Sequence, residues 1–356
     1  MAKSRFLDPK VRNLIIFVVN RGLAAGLVCW GFARSFPDER DPVRLLGFFV
    51  LALIAWRLLL MIYRRILTPG KHPLAYGKWA IVTGSTSGIG KSFAEHFASI
   101  GMSVLVISRS EERLHAQATE LYERFKVDCD YLVYDFSGPQ DGATKNEFYN
   151  RLSQKCEIMN QDGGVGILVN NVGIANEIPK KLEEFTDDDV TSMINCNVHS
   201  LLWMTRTVLS FMKERRNGCV ISISSGSSNY CAPWLSVYSA TKAFMTQFTR
   251  SMHVENWGTG VDFLVVTPFY VVSNLYKRSH GTILAPLPDV LVRGTLCQLG
   301  KQYIWQGHGY WFHGLMGNVA LWYWGMVDRW RKIMTDNRKR YDDREAAKAK
   351  EAGKKD

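Results

Sequence analysis

Trp79-Ala80-Ile81-Val82-Thr83-Gly84-Ser85-Thr86-Ser87-Gly88-Ile89-Gly90-Lys91 joins an apolar run, a glycine-spaced polar loop and the start of a helical stretch. Glycines let the backbone of such a loop come close to a pyrophosphate. The helix that follows offers its first N–H groups to the anion. A glycine cluster alone is often only a turn; its place between a strand and a helix is what points to a dinucleotide. The spacing here is T-G-x-x-x-G-x-G. Gly84, Ser85, Ser87, Gly88, Ile89 and Gly90 are therefore the cofactor-binding candidates of this loop.

Outward from the loop, apolar runs recur at residues 79–82, 104–107, 131–133, 167–169, 220–223 and 263–266. Helical stretches separate them at 91–99, 111–125, 145–159, 187–216 and 237–257. Strands alternating with helices at this spacing predict right-handed βαβ units and a buried parallel sheet. The expected fold class is α/β, a Rossmann-like doubly wound sheet. The second strand ends Val106-Ile107-Ser108-Arg109, with no acid to hold the ribose hydroxyls of NAD. Arg109 can instead neutralise a 2′-phosphate, so NADP(H) is the expected cofactor. Asp135, followed by Phe136, is placed after the third strand to touch the adenine. Asn170 opens the polar turn Asn170-Asn171-Val172-Gly173 at the carboxyl edge of the fourth, where ligands collect in such sheets.

Further along stands Tyr238-Ser239-Ala240-Thr241-Lys242. Four residues apart on a helix, the tyrosine and lysine share one face. A phenol holds its proton until about pH 10, and a neighbouring ammonium is expected to lower that value. A phenol so tuned can protonate a carbonyl oxygen that is gaining charge. Taken alone the pair is a common surface feature; a dinucleotide loop upstream gives it weight.

The chain has 356 residues, 47% of them hydrophobic and 22% charged, with a formal net charge of +11. The basic residues crowd the two ends beside apolar segments, which favours a membrane surface over nucleic acid as partner. Seven scattered cysteines without a C-x-x-C argue against a zinc site or a disulfide framework, and are expected to be reduced core residues. No metal is expected. Residues 1–75 read as a membrane anchor. The segments 13–33 and 45–63 read as a helical hairpin of two spans; Arg21 makes the first costly to bury, and the alternative is one span, 45–63, with 13–33 lying in the interface. The NADP-binding domain is expected over 76–300, and an aromatic membrane-proximal segment with Trp305, Trp311, Trp322, Trp324 and Trp330 over 301–334. Residues 335–356 read as a charged tail.

Together T-G-x-x-x-G-I-G, N-N-V-G, a serine thirteen residues before the tyrosine, and Y-x-x-x-K stand in family order between residues 77 and 269. On these motifs the chain resembles the short-chain dehydrogenase/reductase family. Within it, the nearest resemblance is to the membrane-bound 17β-hydroxysteroid dehydrogenase subgroup, which includes very-long-chain 3-oxoacyl-CoA reductases. The resemblance implies that Ser225 holds the substrate carbonyl and that Tyr238 protonates it. It implies that Lys242 binds the nicotinamide ribose and that Asn197 holds a water of the proton relay. Ser273 takes the position of a threonine that binds the carboxamide, and Phe269 replaces the glycine usual after Pro268. The implied activity is NADPH-dependent reduction of a long-chain 3-oxoacyl-CoA during fatty acid elongation; a 17β-hydroxysteroid or retinoid substrate is the alternative. Residues 274–288, with Lys277, Arg278 and His280, are expected to form the loop over the substrate. The resemblance also implies the endoplasmic reticulum membrane with the catalytic domain facing the cytosol. Other elongation enzymes and a second copy of the chain are the further candidate partners. A catalytically dead interaction protein on the same fold is the reading from another class. Relatives of that kind resemble the subgroup with phenylalanine at the tyrosine position, whereas Tyr238 is present here.

Overall fold

Among the described residues seven strands, β1 (Trp79–Thr83), β2 (Ser103–Ser108), β3 (Cys129–Val133), β4 (Val165–Asn170), β5 (Gly218–Ile223), β6 (Val261–Val266) and β7 (Gln306–Gly307), form one sheet ordered β3-β2-β1-β4-β5-β6-β7. Every pairing is parallel. The structure, a computed structural model, describes residues 49, 51–57, 59, 63, 70–139, 142–176, 178–273, 276, 280–301, 306–320 and 325–352. Its helices are α1 (Gly88–Ser99), α2 (Glu111–Phe125), α3 (Gly142–Gln161), α4 (Asp187–Ile194), α5 (Ser200–Glu214), α6 (Ser236–Glu255), α7 (Pro288–Leu296), α8 (Trp311–Ala320) and α9 (Gly325–Ala352).

The strands read as unbroken apolar runs because both faces of the sheet are covered. Alternate side chains leave a strand on opposite sides. Ala80, Val82, Val104 and Val106 pack with Phe93 and Phe97 of α1 and Leu114 and Leu121 of α2. Ile81, Leu105 and Ile107 pack on the other face with α3 and α5, through Phe148, Leu152, Met204 and Val208. In α3 the buried residues Phe148, Leu152, Cys156 and Met159 recur at helical spacing and make one apolar stripe. The six sequence-read strands are all present. The seventh, two residues long, pairs Val265 with Gln306 and Val266 with Gly307. It carries no apolar run that could have announced it.

The stretch expected as one helix over 187–216 is interrupted. Asn195–His199 forms a π turn between α4 and α5, the kind of local widening that helices use to redirect a side chain. At its start, Thr186 caps α4 by accepting from Asp189 N at 3.1 Å, and the Asp189 carboxylate accepts from Thr186 N at 3.3 Å.

By internal contacts the chain divides into Met1–Pro69 and Gly70–Asp356. The expected first span, 13–33, lies outside the described residues, and the second, 45–63, is described only in part. Among the described residues, 51–57 are helical, and no helix is long and apolar enough to cross a membrane. The C-terminal region departs from its reading as a tail, because α9 runs without a break across 334/335. Trp311 is 59% exposed; Trp305, Trp322 and Trp324 lie outside the described residues. The cysteines also need correction: Cys156, Cys196 and Cys219 are buried, but Cys231 and Cys297 stand at the surface.

Candidate active site

The sheet dictates where a ligand can sit. After β3 the chain returns to place β4 on the other side of β1, so the loops after these two strands part at the carboxyl edge and leave a crevice. A cleft of 680 Å³ occupies that edge. Its walls come from segments that follow β1 through β6, and it receives two further residues from α9.

At one end lie Gly84, Ser87, Gly88 and Ile89 of the glycine loop. Gly88 has φ +54°, and a Cβ there would stand 3.1 Å from Ser273 Cβ. Ser87 is the N-cap of α1 and makes no capping bond, so the first N–H groups of this helix face the cleft without a side-chain partner. These features fit the pyrophosphate of a dinucleotide. Arg109, exposed after β2, and Asp135 line the same end. Asp135 also accepts from Ser137 N at 2.9 Å. Arg113 is a lining residue that sequence reasoning missed. It stands on α2 and donates from Nη2 to Thr86 O at 3.2 Å, which brings a second guanidinium to this end.

Three residues proposed from the sequence as cofactor contacts do not line the cleft. Ser85 is fully buried behind the loop, donating to Gln117 Oε1 at 3.0 Å and accepting at its carbonyl from Gln117 Nε2 at 2.8 Å. Gly90 lies where α1 crosses the loop, and a Cβ there would stand 2.2 Å from Gly84 O. Its role is close packing. Asn170 ends β4 with its side chain turned under the sheet, donating to Thr205 Oγ1 of α5 at 3.0 Å. Its neighbour Asn171 lines the cleft instead, because it is the first residue beyond the strand.

The reacting end is built on α6. Ser225, Tyr238, Lys242 and Ser273 all line the cleft. Ser225 follows β5, and its Oγ accepts from Ser227 N at 3.2 Å. Lys242 is buried, with Nζ 5.9 Å from the centre of the Tyr238 ring and donating to Ile223 O at 3.0 Å. Burial pushes the Tyr238 phenol above its ordinary pKa, and a hydrogen bond with Ser225 pulls it partly back. That differs from the expectation of a lowered value: burial is the larger cause, and the lowering comes from Ser225 and not from the ammonium. Asn197, in the π turn, is fully buried behind the wall. Its Oδ1 accepts from Ile174 N at 2.9 Å, and its Nδ2 donates to Ile174 O at 2.9 Å and Thr241 Oγ1 at 3.0 Å. The amide thus supports α6 and the Gly173 turn and does not face the cleft itself. Of the expected covering loop, Tyr276 lines the cleft and His280 is exposed; Lys277 and Arg278 lie outside the described residues.

Burial also lowers Lys242, from the ordinary value of 10.5 to about 8. A base depressed in the fold binds fewer protons there than in the unfolded chain between these two values. Folding stability should therefore rise with pH across that window. Compared with Lys242→Met, the parent protein should gain about 2 kcal/mol between pH 7 and pH 9.5. Denaturant unfolding of the cofactor-free proteins at both pH values checks this; a constant difference between them would exclude a depressed Lys242.

Comparison with known proteins follows the same lines. Residues 78–282 match the short chain dehydrogenase family. The human very-long-chain 3-oxoacyl-CoA reductase is 38% identical over 245 residues, spanning 68% of this chain and 74% of that protein. The human inactive hydroxysteroid dehydrogenase-like protein 1 is 34% identical over 260 residues, spanning 70% and 75%. A solved 7β-hydroxysteroid dehydrogenase superposes with a TM-score of 0.57 at 25% identity, over 67% of this chain and 89% of its own. Fold, motif spacing and sequence identity agree, and the chain belongs to the short-chain dehydrogenase family.

Proposed function

We propose that this protein reduces the 3-oxo group of a long-chain acyl-CoA to the 3-hydroxyacyl-CoA, with NADPH as the hydride source. The observation that carries this reading is the convergence of Ser225, Tyr238 and Lys242 at one end of a cleft whose other end holds Arg109 and Arg113. The relatives named very-long-chain 3-oxoacyl-CoA reductase add support. The bound nicotinamide would supply a hydride to the carbonyl carbon and leave as the oxidised cofactor. The protein's own residues manage the oxygen. Ser225 Oγ–H positions it, and Tyr238 delivers its proton as negative charge gathers there. Burial favours the protonated phenol, the form from which a general acid must start. Lys242, buried behind it, supplies the charge that the resulting phenolate needs. The arginines meet the 2′-phosphate of NADPH, for which no acid competes at the end of β2.

The substrate end suits a lipid-like tail, being walled by Tyr230, Phe269, Tyr270 and Tyr276. Tyr230 and Phe269 stack at 5.6 Å. That flat wall also favours a second reading, a hydroxysteroid dehydrogenase with the same chemistry. NADPH oxidation with a 3-oxoacyl-CoA and a 17-ketosteroid in parallel separates the two; turnover of the steroid alone would replace the first reading. A catalytically inactive protein is disfavoured by the intact tyrosine and lysine pair.

The proposed setting is the endoplasmic reticulum membrane, with the catalytic domain facing the cytosol and other elongation enzymes or a second copy as candidate partners. It rests on charge. Lys3, Arg5, Lys10 and Arg12 precede the first apolar segment, and Arg64, Arg65 and Lys71 follow the second. Such basic flanks stay on the cytoplasmic side.

Three measurements test these proposals. Tyr238→Phe keeps the ring and removes the proton, so NADPH binding should persist while turnover falls by about 10²–10⁴; near-normal turnover would remove Tyr238 from the mechanism. Arg109→Asp should reverse the coenzyme preference from NADPH towards NADH, read as the ratio of kcat/KM values. A parent protein that already prefers NADH would contradict the role given to Arg109. For the topology, a glycosylation acceptor in a lengthened 35–41 loop should be modified and one at the C-terminal end should not; modification at the C-terminal end would reverse the orientation.

A further inference from the structure

Helix α9 places Met334 and Asn337 on the wall of the cleft. Three residues apart, they share a helix face. Met334 is 5% exposed, although the residues beside it, Ile333 and Thr335, face solvent. One residue beyond Asn337, Arg338 donates from Nη1 to Glu184 Oε2 at 2.6 Å and to Pro179 O at 3.0 Å. Its Nε donates to Asp342 Oδ1 within the helix at 2.9 Å. Both carboxylates raise the guanidinium pKa further, with Glu184 the larger influence.

The anchor identifies which end of the cleft is covered. Pro179 is itself a lining residue, and its segment is tied to the chain just before α6. Asn176 Nδ2 and Lys180 N donate to Trp234 O at 3.1 and 3.0 Å. Trp234 stands shortly before Tyr238 in sequence, whereas Arg109 and Arg113 belong to the opposite half, beyond β1. The helix is therefore fastened over the reacting end.

We propose that α9 roofs the substrate half of the cleft, with Met334 as a specificity-determining residue that meets the apolar part of the substrate. Arg338 is the positioning residue that holds this roof on Glu184 and Pro179. The acyl identity of the apolar part rests on the function proposed above; the roof does not. Methionine suits the place, because its unbranched side chain adapts to tails of different length and shape. Each methylene gained or lost against such a wall changes discrimination by about tenfold or more.

The test is a profile of kcat/KM over 3-oxoacyl-CoAs from short to very long chains, for the full-length parent, Met334→Trp and Met334→Ala. NADPH affinity is measured alongside by nucleotide fluorescence. Met334→Trp should lower the ratio of long-chain to short-chain kcat/KM by about tenfold, and Met334→Ala should shift it in the opposite direction, with NADPH affinity retained. If the tryptophan variant does not fold, the alanine ratio decides. Arg338→Met should raise KM for the long substrates more than it lowers kcat, and Arg338→Lys should restore much of the loss. An unchanged chain-length ratio in folded Met334 variants that bind NADPH would overturn the proposal. A parent that reduces a 17-ketosteroid but no 3-oxoacyl-CoA would overturn only the acyl reading; the ratio of ketosteroid to a small cyclic ketone would then judge the roof by the same criterion.

Discussion

The cleft depends on a polar clasp at the place where the sheet changes direction. Asn171 Nδ2 donates to Thr83 O at 2.9 Å and to Gly84 O at 3.2 Å. In return Thr83 Oγ1 accepts from Asn171 N at 3.0 Å and Val172 N at 3.1 Å, and donates to Val169 O at 3.2 Å. Strands β1 and β4 are neighbours whose following loops must diverge to admit a ligand. Without the clasp their ends would carry unpaired backbone groups in a poorly solvated place, at a cost of about 1–3 kcal/mol each. The clasp also explains Gly90, since a Cβ there would stand 2.5 Å from Asn171 Nδ2. Backbone, amide and helix converge too closely for any side chain.

The two ends of the cleft differ in their electrostatics. Arg109 stands in solvent, where its charge can attract a phosphate. Lys242 is buried, and its depressed pKa records what that placement costs. Hydrogen bonds meet part of the cost. Lys242 donates to Ile223 O, while Asn197 and Thr241 brace the adjoining backbone. The π turn is what brings Asn197 under this helix, so an irregularity between two helices braces the face of a third that lines the cleft.

Helix α9 adds a different constraint. Its composition, dense in Lys, Arg, Asp and Glu, describes the face that meets water. Among the described side chains of this helix, Met334 is buried and Arg338 is ion-paired with Glu184 and Asp342, and no apolar stripe joins them. The same limitation applies to β7, where two residues complete the sheet by backbone pairing, supported by Thr267 N donating to Gly307 O at 2.8 Å and Gln306 Nε2 donating to Thr267 Oγ1 at 3.2 Å.

What the sequence determined by itself was the layered sheet, the glycine loop and the pairing of Tyr238 with Lys242. Each rests on short-range periodicity: apolar runs on strands covered twice, glycines at a strand-to-helix turn, and a four-residue helical spacing. Tertiary structure decided which face each neighbour took. Asn170 and Asn171 are adjacent and identical in type, yet the strand directs one to Thr205 and the turn directs the other to the cleft. Ser85 lies between two cleft residues but is claimed by Gln117 from α2. The direction of the Tyr238 shift, the second guanidinium at Arg113 and the roof at Met334 were likewise settled by burial and by contacts distant in sequence. Local pattern specifies what an element is; which neighbours it meets, and so which side chains lose their water, is decided only when the elements pack.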